Sequence, residues 1–235
     1  MPPRVVTEVG IKPIAPELWL VETPLRFRGI EVGRRMTVVR LASGSLLIHS
    51  PAPLTAELRE ALAQVGEVRF VVPASSMHGH LFMEEYQAAY PAAELFSAPG
   101  LDRKRKDLAF AGLLGSAPDP AWSHDLDQAA VLGHRFVTEI AFLHRSSGTL
   151  IVGDLCFRIG ESAPRPMRAV ARATGAYDQA RPTPMFRLGV RNRIAARRSL
   201  DRVLSWDFDR VVLGHGEPIE TGGPSALRDA YAWLR

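Results

Sequence analysis

The stretch RVVLGHGEPIE, residues 210–220, runs from β-formers into a glycine, a histidine and a second glycine. RVVL reads as a short buried strand, and the glycines mark a tight turn directly after it. A histidine there sits at the carboxyl end of a strand, where open α/β sheets bind their ligands. The same arrangement recurs upstream. SLLIH ends at His49, VRFVV leads into SSMHGH with His78 and His80, and TLIVGD ends at Asp154.

Working outward, LWLVE (18–22), MTVVRL (36–41) and SLLIH (45–49) read as strands, the last two joined by Ser43–Gly44 as a hairpin. A helix follows, with Leu54, Leu58, Ala61, Leu62 and Val65 at helical spacing, Thr55 as N-cap and Gly66 as its stop. Then come a strand at 68–72, a helix at 81–90 ended by Pro91, and a strand at 93–98. Residues 99–124 carry no clear pattern, and APDPAW reads as a surface loop. FVTEIAFLH (136–144), the turn RSSG and TLIVGD form a hairpin. If its turn lies at Ser146–Ser147, His144 pairs near Thr149 and Asp154 lies near Glu139. His144 is then on the order of 16 Å from Asp154 along the strand and cannot share a ligand with it. Residues 157–190, rich in proline and glycine around a short helical MRAVARAT, suggest a flap. A helix spans 191–205, and Ser225 caps a last helix through Leu234. Strand–helix alternation between hairpins argues for one α/β domain over 1–235 with mixed sheets.

The chain has 235 residues, 46% hydrophobic and 23% charged, an ordinary globular balance. No apolar run is long enough to span a bilayer, and MPPRVVTEVG lacks a signal-peptide core, so no membrane partner and a cytoplasmic location are expected. The single cysteine, Cys156, excludes an intrachain disulfide and a cysteine-based zinc cluster. The net charge is +4, and all the basic residues but Lys12, Lys104 and Lys106 are arginine. The basic clusters at 101–108 and 191–202 are interleaved at helical spacing and read as solvated helix faces, so nucleic acid is not expected. A homo-oligomer, with Trp233 and the arginine-rich helix at its interface, stays open.

Histidine and aspartate without cysteine suit a catalytic site for zinc, iron or manganese. Each residue alone is equally compatible with a structural role. Their shared position at strand ends is what joins them into one hypothesis. His124, in AWSHDL, reads as surface.

The order of these segments, with VGRRMTVVRLASGSLLIHSP, VVPASSMHGH, LIVGD and VVLGHG, resembles the metallo-β-lactamase superfamily, and within it an uncharacterised branch known as a domain of unknown function. The resemblance covers about residues 10–220. It implies a four-layered αββα sandwich with a metal site at one edge of two mixed sheets. By that resemblance Asp154 matches the metal-bridging aspartate and His215 the last histidine ligand. His134 stands where a mid-chain histidine is expected, without its PGHT surroundings, and His49 replaces a site-supporting aspartate. SSMHGHLF departs from H-x-H-x-D-H in either register, and the register placing His80 on the last histidine fits the following helix slightly better. The usual two-metal set therefore cannot be assembled.

The expectation is a hydrolase of a small ester, lactone or thioester using one divalent metal, zinc first and iron or manganese as alternatives, with the arginines of the 158–198 segment favouring an anionic substrate. The metal ligands are drawn from His78, His80, His134, Asp154 and His215, and Asp154 or Glu139 serves as general base. The alternative is a binding or scaffold module that keeps the fold and holds no metal.

Overall fold

The computed structural model describes residues 10–27, 30–31, 33–173 and 176–234. The N-terminal stretch read above for a signal peptide lies almost wholly outside these residues, as does Thr174 at the end of MRAVARAT. The first half of the chain forms β1 (Lys12–Ala15), β2 (Leu18–Thr23), the two-residue strands β3 (Arg26–Phe27) and β4 (Ile30–Glu31), β5 (Arg34–Arg40), β6 (Ser45–His49), α1 (Ala56–Val65), β7 (Glu67–Val72), α2 (Met83–Ala89), β8 (Glu94–Ser97), α3 (Leu101–Lys104) and β9 (Phe110–Leu113). Seven of these strands make one sheet, in the order β1-β2-β5-β6-β7-β8-β9. Its hairpin end is antiparallel and its β6-β7-β8-β9 end parallel, as the strand–helix alternation there demands.

The second half forms β10 (Leu126–Val131), β11 (Glu139–His144), β12 (Thr149–Ile151), α4 (Arg165–Ala173), α5 (Pro184–Gly189), α6 (Arg193–Leu204), β13 (Arg210–Val212) and α7 (Gly223–Ala230). A four-stranded sheet runs β10-β11-β12-β13, with β12 and β13 parallel. The expected pairing of His144 with Thr149 is present.

Alternation along the strands divides the apolar residues into three cores. Leu46 and Ile48 face outward and pack with Leu58 and Leu62 of α1. Leu47, Val72, Ile140, Phe142 and Ile151 fill the space between the sheets. Ala141, Leu143 and Leu150 meet Leu200 and Val203 of α6 and Leu227 of α7. Three cores in succession make the four layers, helices–sheet–sheet–helices. The α1 boundaries have the expected causes: Thr55 Oγ1 accepts from Leu58 N at 3.2 Å, and Gly66 N donates to Leu62 O at 3.0 Å.

Three expectations need correction. Residues 99–124 are not merely irregular, because α3 and β9 lie there and β9 extends the first sheet. Trp122 is fully buried between the sheets, its ring 4.8 Å from that of Phe96 and 5.4 Å from Phe70. The polar loop residues around it hid an inter-sheet anchor. The last helix begins at Gly223, ends at Ala230 and continues only as a 3₁₀ turn, so Ser225 lies inside its first turn. Strand β10 was also not foreseen; LDQAAV is too alanine-rich to read as a strand without its partner β11. Among the described residues no helix is long and apolar enough to cross a membrane.

Candidate metal centre

The site lies where the two sheets meet at one edge. Ile140 N donates to Ala74 O at 2.8 Å, joining the ends of β7 and β11. Parallel pairing of Ile151 with Val212 carries on through Gly214 N to Gly153 O at 3.0 Å, and so sets Asp154 and His215 side by side beyond the strand ends. His215 Nε2 is 3.6 Å from Asp154 Oδ1.

His78 arrives from the other sheet. Ser75 builds its loop: Ser75 Oγ accepts from Met77 N at 3.1 Å and His78 N at 3.0 Å. The imidazole then enters a slot between two bare backbones. A Cβ at Gly153 would lie 2.7 Å from His78 Nδ1, and one at Gly214 would lie 2.5 Å from His78 Cε1. This is why glycine precedes both Asp154 and His215: their missing side chains leave room for the third ring. His78 and His215 stand 4.8 Å apart, centroid to centroid. One donor atom from each of His78, Asp154 and His215 lies within 4.8 Å of the others.

Neither ring nitrogen of buried His78 has a hydrogen-bond partner, nor does Asp154 Oδ1. Buried polar atoms are normally satisfied, so three converging side chains, two of them with unpartnered donor atoms, fit a cation. Burial holds the His78 pKa below its ordinary value, and the His215 and Arg34 charges add to this against the pull of Asp154. Its nitrogen lone pair is thus kept available. His215 Nδ1 donates to Gly33 O at 2.5 Å, leaving Nε2 as the donor atom toward Asp154. Phe157 stacks on the His215 ring at 5.6 Å, nearly parallel.

Two supports surround the cluster. Glu139, 2% exposed, accepts from Gly153 N, Asp154 N and Leu155 N at 2.7, 2.8 and 3.3 Å. Burial and then the Asp154 charge push its carboxyl up, against the downward pull of those amides. Both of its oxygens are engaged in holding the Asp154 turn. Arg35, 6% exposed, donates from Nη1 to Leu213 O at 2.6 Å and from Nη2 to Gly216 O at 2.9 Å, and pairs with Glu22. It clamps the His215 turn to β5. The sequence reading passed over Arg34 and Arg35; the signal available was a charge at a period-2 position facing inward from a strand.

The structure does not bring His80 or His134 to this cluster. His80 Nε2 is 3.0 Å from Lys104 Nζ, and burial followed by the Lys104 charge lowers its pKa to about 4. The ring turns toward α3, opposite to His78 two residues earlier. His134 accepts at Nδ1 from Phe136 N and Val137 N, both at 3.1 Å, and stacks on Phe186 at 4.9 Å. Glycine at 189 lets its ring pack there. The preferred register, with His80 as the ligand of its loop, gives way to His78. His49 is buried against Phe142, and His124 is exposed, as expected.

Residues 16–193 match a family described as a domain of unknown function, DUF4336. None of the curated proteins matches the chain. In structure it is similar to a metallo-β-lactamase from Pontibacter korlensis, at 12% identity and TM-score 0.66, over 96% of this chain and 98% of that one. A metallo-β-lactamase from Hirschia baltica gives 12% and 0.65, covering 96% and 97%. The metal-soaked flavodiiron core Flv1 from Synechocystis sp. PCC6803 gives 12% and 0.65, over 96% of this chain and 60% of that one. The likeness establishes the fold.

Proposed function

Because the chain belongs to the DUF4336 family, a domain of unknown function here carried on the metallo-β-lactamase fold, we propose its activity from the site's own chemistry. The protein is a metal-dependent hydrolase of a small ester, lactone or thioester, with one divalent ion held by His78, Asp154 and His215. The observation that carries this is the convergence of three donor atoms within 4.8 Å, those of His78 and Asp154 buried without partners. Two imidazoles and a carboxylate suit zinc first, and iron or manganese next. A bound ion would supply Lewis-acid polarisation of the scissile carbonyl and make water more acidic.

The chain's own groups do the rest. His78, kept neutral by burial, presents a lone pair without a competing proton, and the Gly33 carbonyl, by holding His215 Nδ1, turns His215 Nε2 toward the ion. Phe157 covers one face of His215 and excludes water there. Of the two carboxylates, Asp154 is one-third exposed and can take a proton from water, whereas Glu139 is sealed and positions the Asp154 turn. Glu139 is therefore a positioning residue, not the base.

Elemental analysis of protein purified without chelator tests the reading. One equivalent of metal is expected, lost in His78→Ala and in His215→Ala, and a chelator should lower the melting temperature of the wild type alone. Metal content unchanged in both variants overturns it, and a metal-free wild type leaves the scaffold alternative.

A further inference from the structure

We infer that Arg34 anchors an oxyanion, a carboxylate or phosphate of the substrate, beside the His78–Asp154–His215 cluster. Arg34 follows Gly33, whose carbonyl receives the His215 Nδ1 proton. Its guanidinium lies 4.4 Å over the ring of Phe82, at the end of the loop that carries His78. The cation is thus held between the two segments that supply the imidazoles. Its Nη1 is buried without a hydrogen-bond partner.

Other arginines of the chain contrast with this. Arg35, Arg145, Arg158, Arg168 and Arg210 each pair with a carboxylate. The carboxylate nearest in influence, Glu85, accepts from Leu54 N at 2.7 Å. A partly buried guanidinium with an unmet donor costs stability, and such a cost is retained where a ligand recovers it. Stacking on Phe82 fixes the plane of the guanidinium and leaves its edge as a planar donor array suited to an oxyanion. The arginines of 158–198 looked like the natural source of anion affinity in the sequence, but Arg158, Arg168 and Arg172 are taken up by Asp178 and Glu161.

That the anion belongs to a substrate rests on the hydrolase reading; that Arg34 binds it does not. The test is calorimetric titration of the chelator-treated full chain with inorganic phosphate and, separately, with acetate. Wild type should bind at least one, and Arg34→Met should weaken it about 10- to 100-fold, the loss of a charge-assisted hydrogen bond. Arg103→Met, removing an exposed charge, should bind as wild type does. Tighter phosphate points to a phosphorylated substrate and tighter acetate to a carboxylated one. If Arg34→Met does not fold, Arg34→Lys, which keeps the charge and loses the planar fork, should weaken binding by a measurable factor. Wild type binding neither anion, or a folded Arg34 variant binding as tightly as wild type, overturns the inference. Metal content of the same protein before chelator treatment separates the two ideas: anion binding through Arg34 in a protein purified without metal ends the hydrolase reading and leaves the anion site standing.

Discussion

Replacing Arg35 by methionine should loosen the His215 turn from a distance. The substitution removes the donors to Leu213 O and Gly216 O while keeping an unbranched stem of similar length. A hydrogen bond from a charged donor contributes about 1.5–3 kcal/mol when its acceptor is left buried. Leu213 O is buried and carries that full amount, whereas Gly216 is exposed and its carbonyl adds at most about 1 kcal/mol, for about 2–4 kcal/mol in all. The ion pair with Glu22 adds little, because that carboxylate is 58% exposed. For a chain of this size each kcal/mol moves the midpoint by roughly 2–4 °C, so a fall of about 4–16 °C is expected. Displacing the turn also misplaces a proposed ligand, and loss of such a supporting contact typically costs about 10- to 100-fold in metal affinity. Scanning calorimetry on chelator-treated protein reads the first effect, and a competitive chelator titration reads the second. Arg35→Lys should recover part of the stability, since one ammonium reaches one carbonyl well and two poorly. A variant that melts within about 2 °C of wild type and holds metal equally tightly would refute the clamp.

Gly214→Ala places a methyl 2.5 Å from His78 Cε1 and should abolish metal retention while leaving far-ultraviolet circular dichroism unchanged; stoichiometric metal in this variant would show that the slot is not needed. Trp122→Ala should cost about 3–5 kcal/mol in urea unfolding, because the ring packs on Phe70 and Phe96 of one sheet while its Nε1 donates to Gln128 of the other; a cost under 1 kcal/mol would mean the ring is replaceable by solvent or rearrangement. His49 has a pKa lowered from 6.5 to about 3, by burial first and the His78 charge second. Between those values the unfolded chain takes up a proton that the native one refuses, so stability falls with decreasing pH by about 1.4 kcal/mol per unit. His49→Leu should flatten the pH dependence of stability between pH 6 and 4 by that one-proton slope, and identical slopes would place His49 in a solvated position.

Local pattern was enough for much of the architecture. Thr55 and Gly66 bound α1 through contacts made within a few residues, and the Ser146–Ser147 turn set the register that puts Glu139 beside Asp154. β10 and Trp122 were not legible, since each acquires its role from a partner far along the chain: β11 for the strand, Phe70 and Phe96 for the ring. The site divides the same way. Asp154 and His215 were matched from the family resemblance together with strand-end position, because parallel strands carry their ends to one edge. The choice between His78 and His80 could not, since two histidines in one loop differ only in which way the backbone turns them.

The amino-acid order by itself determined the alternation of strands and helices, the layers that alternation forces, and a row of polar residues at strand ends. Tertiary structure alone decided that Gly153 and Gly214 admit the His78 ring, that Lys104 receives His80, and that Arg35 ties the His215 turn to a distant strand. The physical reason is range: hydrogen-bond periodicity and caps act over a few residues, whereas the empty space beside a glycine has meaning only once another segment has been folded against it.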